Sequence, residues 1–169
     1  KHSWSKWNQP VDYKEWGMPA HMVNAYYNPQ KNLIVFPAAI LQAPFYDLHQ
    51  SSSANYGGIG AVIAHEISHA FDTNGASFDE NGSLKDWWTE SDYAAFKEKT
   101  QKVIDQFDGQ ESYGATINGK LTVSENVADL GGIAAALEAA KREADFSAEE
   151  FFHNFARIWR MKGRPELMK

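Results

Sequence analysis

Hydrophobic and polar positions divide this chain into an opening stretch without period and a series of segments with one. Residues 1–23 mix Trp, Pro and polar groups, and Pro10, Gly17 and Pro19 favour extended or turn-rich backbone there. Val23–Tyr27 and Leu33–Phe36 are short β-prone runs, and the five residues 28–32 between them read as the loop of a hairpin. Ser51–Ser53 offer N-caps to a helix that runs to about Phe71 and stops at Asn74-Gly75. Thr89 and Asp92 fit a capping box. Behind them Tyr93, Phe96, Thr100, Val103, Ile104 and Phe107 mark one face of an amphipathic helix. Asn118-Gly119, between the short flanks of residues 116–122, predicts a tight hairpin. A third helix is expected from near Ser124 through an alanine-rich stretch to Lys141. A fourth opens on Ser147/Glu150, places Phe151, Phe152, Phe155, Ile158 and Trp159 at helical spacing, and ends at Gly163 and Pro165. The pattern predicts one α+β domain, mostly helical, with a small antiparallel sheet ahead of the first long helix.

Composition narrows the chemistry. The 169 residues hold 16 Lys and Arg against 22 Asp and Glu, a net charge of −6, and no basic cluster, which argues against a nucleic-acid partner. The longest apolar runs, such as Leu33–Leu41, fall far short of the ~18 residues of a membrane span, and the first residues form no secretory signal. Cysteine is absent, so disulfides, thiolate ligands and cysteine nucleophiles are excluded together. Chemistry must rest on His, carboxylates, hydroxyls and backbone.

One motif has that chemistry. His65-Glu66-Ile67-Ser68-His69 is an H-E-x-x-H sequence inside the first long helix. At ~100° per residue, His69 lies about 40° round from His65 and one turn further along, so both imidazoles can grip one ion. Glu66 falls about 60° beyond His69, placed to take a proton from zinc-bound water and return it to a leaving amine. The bland alternative is a helix with two surface histidines. Against it, Val62 shares the histidine face, while Ile59, Ile63, Ile67 and Ala70 form a second apolar stripe, so the helix is expected to be buried on both sides.

A catalytic zinc site usually takes three protein ligands and a water, and without Cys the third must be His, Asp or Glu. Glu125 and Asp129, at i and i+4, supply two carboxylates on one face of the third helix. One can bind zinc while the other accepts a hydrogen bond from a ligand imidazole; spacing alone does not say which, and taken alone the pair reads as a solvated face.

Several further segments carry a family likeness, almost end to end: Val23-Asn24-Ala25-Tyr26-Tyr27, Ile34-Val35-Phe36-Pro37-Ala38, Asn55-Tyr56-Gly57-Gly58-Ile59-Gly60, residues 65–72, Asp86-Trp87-Trp88, residues 125–132 and Asn154-Phe155-Ala156. In these the chain resembles the catalytic domain of the neprilysin family of zinc metallopeptidases, which includes bacterial oligoendopeptidases. The resemblance implies a thermolysin-like (gluzincin) fold and one Zn2+ per chain held by His65, His69 and Glu125. It implies Glu66 as general base for a zinc-activated water, and Asp129 as the group that orients a ligand histidine. It also places Asn24 and Ala25 on a strand that pairs with peptide substrates. Ile40, Phe45, Val62, Ile158 and Trp159 then line the pocket for the residue after the scissile bond; on composition alone all five read as core.

The family carries a large helical domain upstream and, downstream, a His and an Arg that contact the transition state and substrate. None has a counterpart here, so residues 1–169 are expected to be a truncated catalytic domain, missing the N-terminal helical domain of its parent. The leading function is hydrolysis of oligopeptides by a zinc endopeptidase; the alternative is a zinc-loaded peptide-binding fragment without appreciable turnover. A purely structural zinc is disfavoured, because such sites favour four protein ligands and cysteine. A cysteine-free member is expected in the bacterial cytoplasm. His2, His21, His49 and His153 read as surface or packing histidines. Asp72 reads as a structural hydrogen-bonding group, residues 79–82 as a turn, and Gly57, Gly58 and Gly60 as sites of close backbone packing.

Overall fold

A glycine-rich break divides the first long helix and sets the position of everything after it. The structure is a computed structural model that describes residues 2–164, opening on a single short turn, α1 (His2–Ser5). Ser51 caps α2 (Ser52–Asn55), its hydroxyl accepting from the Ala54 amide at 3.2 Å. A wide turn over Tyr56–Gly60 follows, with Gly58 outside helical geometry, before α3 (Ala61–Ser68) and a tight last turn, His69–Phe71. The reason is contact. A Cβ on Gly57 would sit 2.0 Å from the Phe151 carbonyl oxygen, and one on Gly58 would sit 2.2 Å from that of Phe45. The last helix, α6 (Ala148–Ile158), capped by Ser147, therefore lies directly on this turn. Its buried Asn154 clamps the packing, donating to the carbonyls of Pro44 and Ala54 at 3.1 and 2.7 Å.

The second crossing is between α3 and α5 (Gly119–Ala140). A Cβ on Gly132 would approach the His65 backbone nitrogen to 2.7 Å, and one on Gly131 would approach Ser68 Oγ to 2.8 Å, so α5 lies closer to α3 than side chains would allow. Helix α4 (Glu90–Phe107), capped by Thr89 as expected, packs against α5. Of its expected apolar face, Thr100 is buried and Phe96, Val103, Ile104 and Phe107 are half-buried, while Tyr93 is exposed. Ala25, Ile40, Ile59, Val62 and Ile158 form one apolar cluster, and Ala61, Ala136, Ala140 and Phe151 another. No helix among the described residues is long and apolar enough to cross a membrane.

Several boundaries differ from the sequence expectation. The hairpin pairs β1 (Tyr26–Asn28) with β2 (Leu33–Val35), with Tyr26 opposite Val35 and Asn28 opposite Leu33, so the loop has four residues, not five. Asn28 closes it, its side chain accepting from the Lys31 amide at 3.1 Å. Asn24 and Ala25 consequently precede the strand and do not belong to it. Asn118-Gly119 makes no hairpin. Asn118 is the N-cap of α5, accepting from the Lys120 and Leu121 amides, and Gly119 is needed because a Cβ there would meet the Ile104 carbonyl at 2.4 Å. The helix thus begins five residues ahead of Ser124. The hairpin lies just upstream, β3 (Glu111–Ser112) with β4 (Ala115–Thr116), turned by Tyr113 and Gly114 at positive φ.

The zinc-motif helix is not buried on both sides. Ile59 is buried, but Ile63 and Ile67 are 37% and 48% exposed, because α5 crosses on the side of His65 and Ser68 and leaves the other side open. Phe152 and Trp159 of the fourth-helix pattern are also exposed, while Phe151 and Ile158 are buried. The fourth helix ends at Ile158, before Gly163; Pro165 lies outside the described residues.

The contact of α6 with the glycine turn is testable. Gly57→Ala must push α6 away from α2 and α3, and is expected to destabilise the protein by about 1–3 kcal/mol, as overpacking against backbone does. Urea unfolding measures it; an unchanged midpoint and slope would mean that the two backbones do not touch at Gly57.

Candidate metal centre

The i, i+4 spacing on α3 does what helical geometry allows. His65 and His69 bring their Nε2 atoms to 2.9 Å from one another, with the rings edge-on. Glu125 reaches the same point from α5, its Oε2 3.5 Å from His65 Nε2 and 3.6 Å from His69 Nε2. Among the described residues these three form the cluster suited to a metal ion. Four-coordinate zinc, with bonds of ~2.0–2.2 Å, separates its ligand atoms by roughly 3.3–3.5 Å. The spacings of 2.9, 3.5 and 3.6 Å bracket that value, so nitrogen and oxygen donors fit zinc with small adjustments.

The opposite ring nitrogens are also engaged. Asp129 Oδ1 lies 2.8 Å from His65 Nδ1, and Asp72 Oδ2 lies 2.6 Å from His69 Nδ1. A carboxylate accepts but cannot donate, so each Nδ1 carries the proton and each Nε2 turns a lone pair towards the shared point. Both imidazoles are held in the tautomer that binds metal. Asp129 follows Glu125 by one turn, so a single face of α5 presents one carboxylate to the metal position and one to the ring behind it.

Asp72 is the partner that the sequence reading undervalued. It is a hydrogen-bonding group, as expected, but its bond is to a candidate ligand ring. The H-E-x-x-H-x-x-D spacing was the available signal, since a residue three beyond His69 returns to the same side of the helix. Burial opposes the charge on Asp72, yet hydrogen bonds from His69, Ser124 and the Gly75 and Asn74 amides outweigh it and hold its pKa below the ordinary value. Burial likewise opposes charge on His69, but its hydrogen bond to Asp72 and the charges of Glu125, Asp72 and Glu66 raise its pKa on balance.

Glu66 is 6% exposed, and burial raises its pKa against the opposing pull of His65 and His69. It lines the same cleft as the three donors, an open hollow of about 640 Å³. Asn24, Ala25, Ile40, Phe45, Val62 and Trp159 line this cleft too, so six of the seven expected substrate-pocket residues share the cleft with the three donors. Ile158 does not reach the wall; it packs beneath in the apolar cluster of Ala25, Ile40 and Val62. Tyr26, Tyr27 and Pro29 also line the cleft, although hydrophobic periodicity gave no reason to single them out.

The remaining histidines stay apart. His21, His49 and His153 are exposed, and the His2 side chain lies outside the described residues. Asp79 shapes a turn as expected, accepting from the Asn81 and Ser83 amides at 3.0 Å each.

Comparison with known proteins agrees with this geometry. A Streptococcus gordonii protein from the scaA 5′ region, ascribed to the zinc metalloproteinases, is 92% identical over 150 residues, which cover 89% of this chain and 27% of that protein. The neutral endopeptidase of Lactococcus lactis subsp. cremoris is 60% identical over 167 residues, 99% of this chain and 27% of the relative. A crystal structure of the Mycobacterium tuberculosis zinc metalloprotease Zmp1 with an inhibitor superposes with a TM-score of 0.90 at 42% identity, covering 96% of this chain and 27% of that one. The chain thus spans about a quarter of the length of these relatives. The model of peptidase family M13 matches residues 24–169, from the cleft-lining Asn24 through both helices that carry the donors. With its mostly helical gluzincin fold, the chain belongs to peptidase family M13, the neprilysin family.

Proposed function

We propose that this chain is the metal-binding part of a zinc-dependent endopeptidase that hydrolyses oligopeptides, with His65, His69 and Glu125 holding one zinc ion. The observation that carries the reading is the convergence of three donor atoms within 3.6 Å of one another while both histidines are fixed from behind by carboxylates. When bound, zinc would act as a Lewis acid towards the peptide carbonyl and make a nearby water more acidic.

Glu66 is the base of this scheme. Its carboxylate takes a proton from the attacking water and passes it to the departing amine, and burial raises its pKa from the ordinary carboxylate value. Asp129 and Asp72 hold the ligand imidazoles through their Nδ1 atoms. The peptide enters along Asn24 and Ala25, next to β1, whose described partner is β2 alone, so an extended chain can add to the hairpin edge through backbone hydrogen bonds. Ile40, Phe45, Val62 and Trp159 offer an apolar wall to the residue after the scissile bond, and Ile158 supports it from below.

One observation favours the second reading, peptide binding without appreciable turnover by these 169 residues alone. Among the described residues, the side chains lining the cleft include no Lys, no Arg and no histidine besides His65 and His69. A positively charged donor aimed at the developing oxyanion must then come from outside this set.

Three outcomes test these assignments. The protein is expected to bind about one zinc per chain. His65→Phe and Glu125→Val should abolish binding, while Glu66→Gln keeps the metal and loses peptidase activity. Metal analysis after dialysis reads this directly, and undiminished zinc in Glu125→Val would remove Glu125 from the ligand set.

Asp129→Ala is expected to weaken zinc by ~10–100-fold without eliminating it, as loss of a ligand's hydrogen-bond partner does. Chelator competition measures the change, and complete loss equal to that of Glu125→Val would show Asp129 to be a ligand itself.

In a fluorogenic peptide assay, the zinc-loaded 169-residue chain should turn over at least ~10²–10³ more slowly than the full-length protein, the usual effect of one missing oxyanion donor. Comparable rates in both, abolished by Glu66→Gln in each, would make these residues catalytically sufficient.

A further inference from the structure

The hydroxyl of Ser124 occupies an unusual place. It donates to Asp72 Oδ2 at 2.5 Å, the same oxygen that receives His69 Nδ1, and it accepts from Asn74 Nδ2 at 3.3 Å. Ser124 lies on α5 immediately before Glu125, whereas Asp72 and Asn74 lie in the segment that leaves the zinc-motif helix. The bond therefore joins the two pieces of chain that carry the candidate ligands, at a point next to one ligand and one hydrogen bond away from another.

We propose that Ser124 is a positioning residue for the metal centre, a latch that fixes Asp72 behind His69 and fixes the first turns of α5 so that Glu125 meets the histidines. The proposal rests on the reading of His65, His69 and Glu125 as zinc ligands.

Two physical arguments support it. The first is saturation of Asp72. A carboxylate offers about four lone-pair sites. In Asp72, which is 2% exposed, Oδ1 accepts from the Asn74 and Gly75 amides at 2.7 Å each, and Oδ2 accepts from His69 and Ser124. Every site is filled, so the carboxylate has one orientation, and His69 inherits it. Removing the Ser124 hydroxyl leaves a buried lone pair without a partner and frees Asp72 to turn away from the ring.

The second argument is leverage on α5. That helix is pinned to α3 at Gly131 and Gly132, where the backbones meet. Glu125 lies nearly two turns before that contact, on the N-terminal part of the helix, with its side chain 67% exposed. Ser124 supplies a second pin on the other side of Glu125 and Asp129. Held at both ends, the segment from 124 to 132 has little freedom to rock. The other ties of α5, to α4 at Gly119 and to α3 at the glycines, do not reach the segment behind His69, so without Ser124 the Glu125 carboxylate loses the tie nearest to it.

The test measures zinc affinity by chelator competition in the full-length protein, together with the thermal midpoint of the zinc-free form. Ser124→Ala is expected to weaken zinc by ~10-fold, the low end for outer partners of ligands, because the serine acts through Asp72. Ser124→Thr, which keeps the hydroxyl, should stay within about twofold of the parent. The zinc-free midpoint is expected to fall in Ser124→Ala, which leaves a buried Asp72 lone pair unpaired, and to be kept in Ser124→Thr, so that return of both affinity and midpoint with the threonine hydroxyl ties the effect to that bond. The latch is overturned by unchanged affinity in Ser124→Ala or by equal loss in Ser124→Thr. Glu125→Val, measured in parallel, separates the two levels. If it retains zinc, the ligand assignment fails and the latch with it; if it loses zinc while Ser124→Ala is silent, only the latch falls.

Discussion

The closeness of α5 to α3 is the constraint on which the site depends. Glu125 is sixty residues from His65 in sequence, and its carboxylate reaches the histidines only because two helix backbones touch. Gly131 and Gly132 make that possible: a Cβ at Gly132 would press on the backbone of His65 itself. The cost is the lower helix propensity of two adjacent glycines in a long helix, offset by the alanines at 134–136 and 139–140 and by the Asn118 cap. The same contact places Asp129 behind His65, so one close approach delivers both a candidate metal donor and the carboxylate bonded to the ring of another.

The site is built as two layers of hydrogen bonds, and the inner one has polarity fixed by the outer one. Asp129 and Asp72 can only accept, so His65 and His69 must donate from Nδ1 and present lone pairs at Nε2. Two lone pairs 2.9 Å apart with a carboxylate nearby repel one another and form a site that a cation stabilises. Asp72 is the more constrained of the two supports, buried and bonded to four donors, whereas the Asp129 side chain is 51% exposed at the mouth of the cleft. The candidate metal centre thus has a rigid side, towards the end of α3, and a side open to solvent.

Glycine also settles the opposite end of the zinc helix. Gly57 and Gly58 let α6 and the Phe45 backbone seat directly on the turn before α3, and Asn154 fastens all three segments. Ile40, Val62 and Ile158 pack there into a single cluster with Ala25, just below the cleft. The apolar wall of the cleft is therefore the upper surface of the core, which is why Val62 and Ile40, core residues by composition, also line the cleft.

What the sequence determined by itself is what a helix computes locally. The i, i+4 pairs His65/His69 and Glu125/Asp129, and the caps at Ser51, Thr89 and Ser147, follow from 3.6-residue periodicity and from side chains that satisfy nearby amides, and all of them stand in the structure. Family likeness then singled out Glu125 from Asp129, a choice that spacing left open. What only tertiary structure decided was everything that depends on a distant neighbour. Asn118-Gly119 has the same local chemistry as a hairpin turn and as a helix cap, and the Ile104 carbonyl against Gly119 selects the cap. Ile63 and Ile67 have the periodicity of a buried stripe, yet which side of α3 is covered was settled by the glycines of α5. The partnership of Asp72 with both His69 and Ser124 spans fifty-two residues of chain, and no period along a sequence encodes a hydrogen bond between two helices whose separation is set by the absence of a side chain somewhere else.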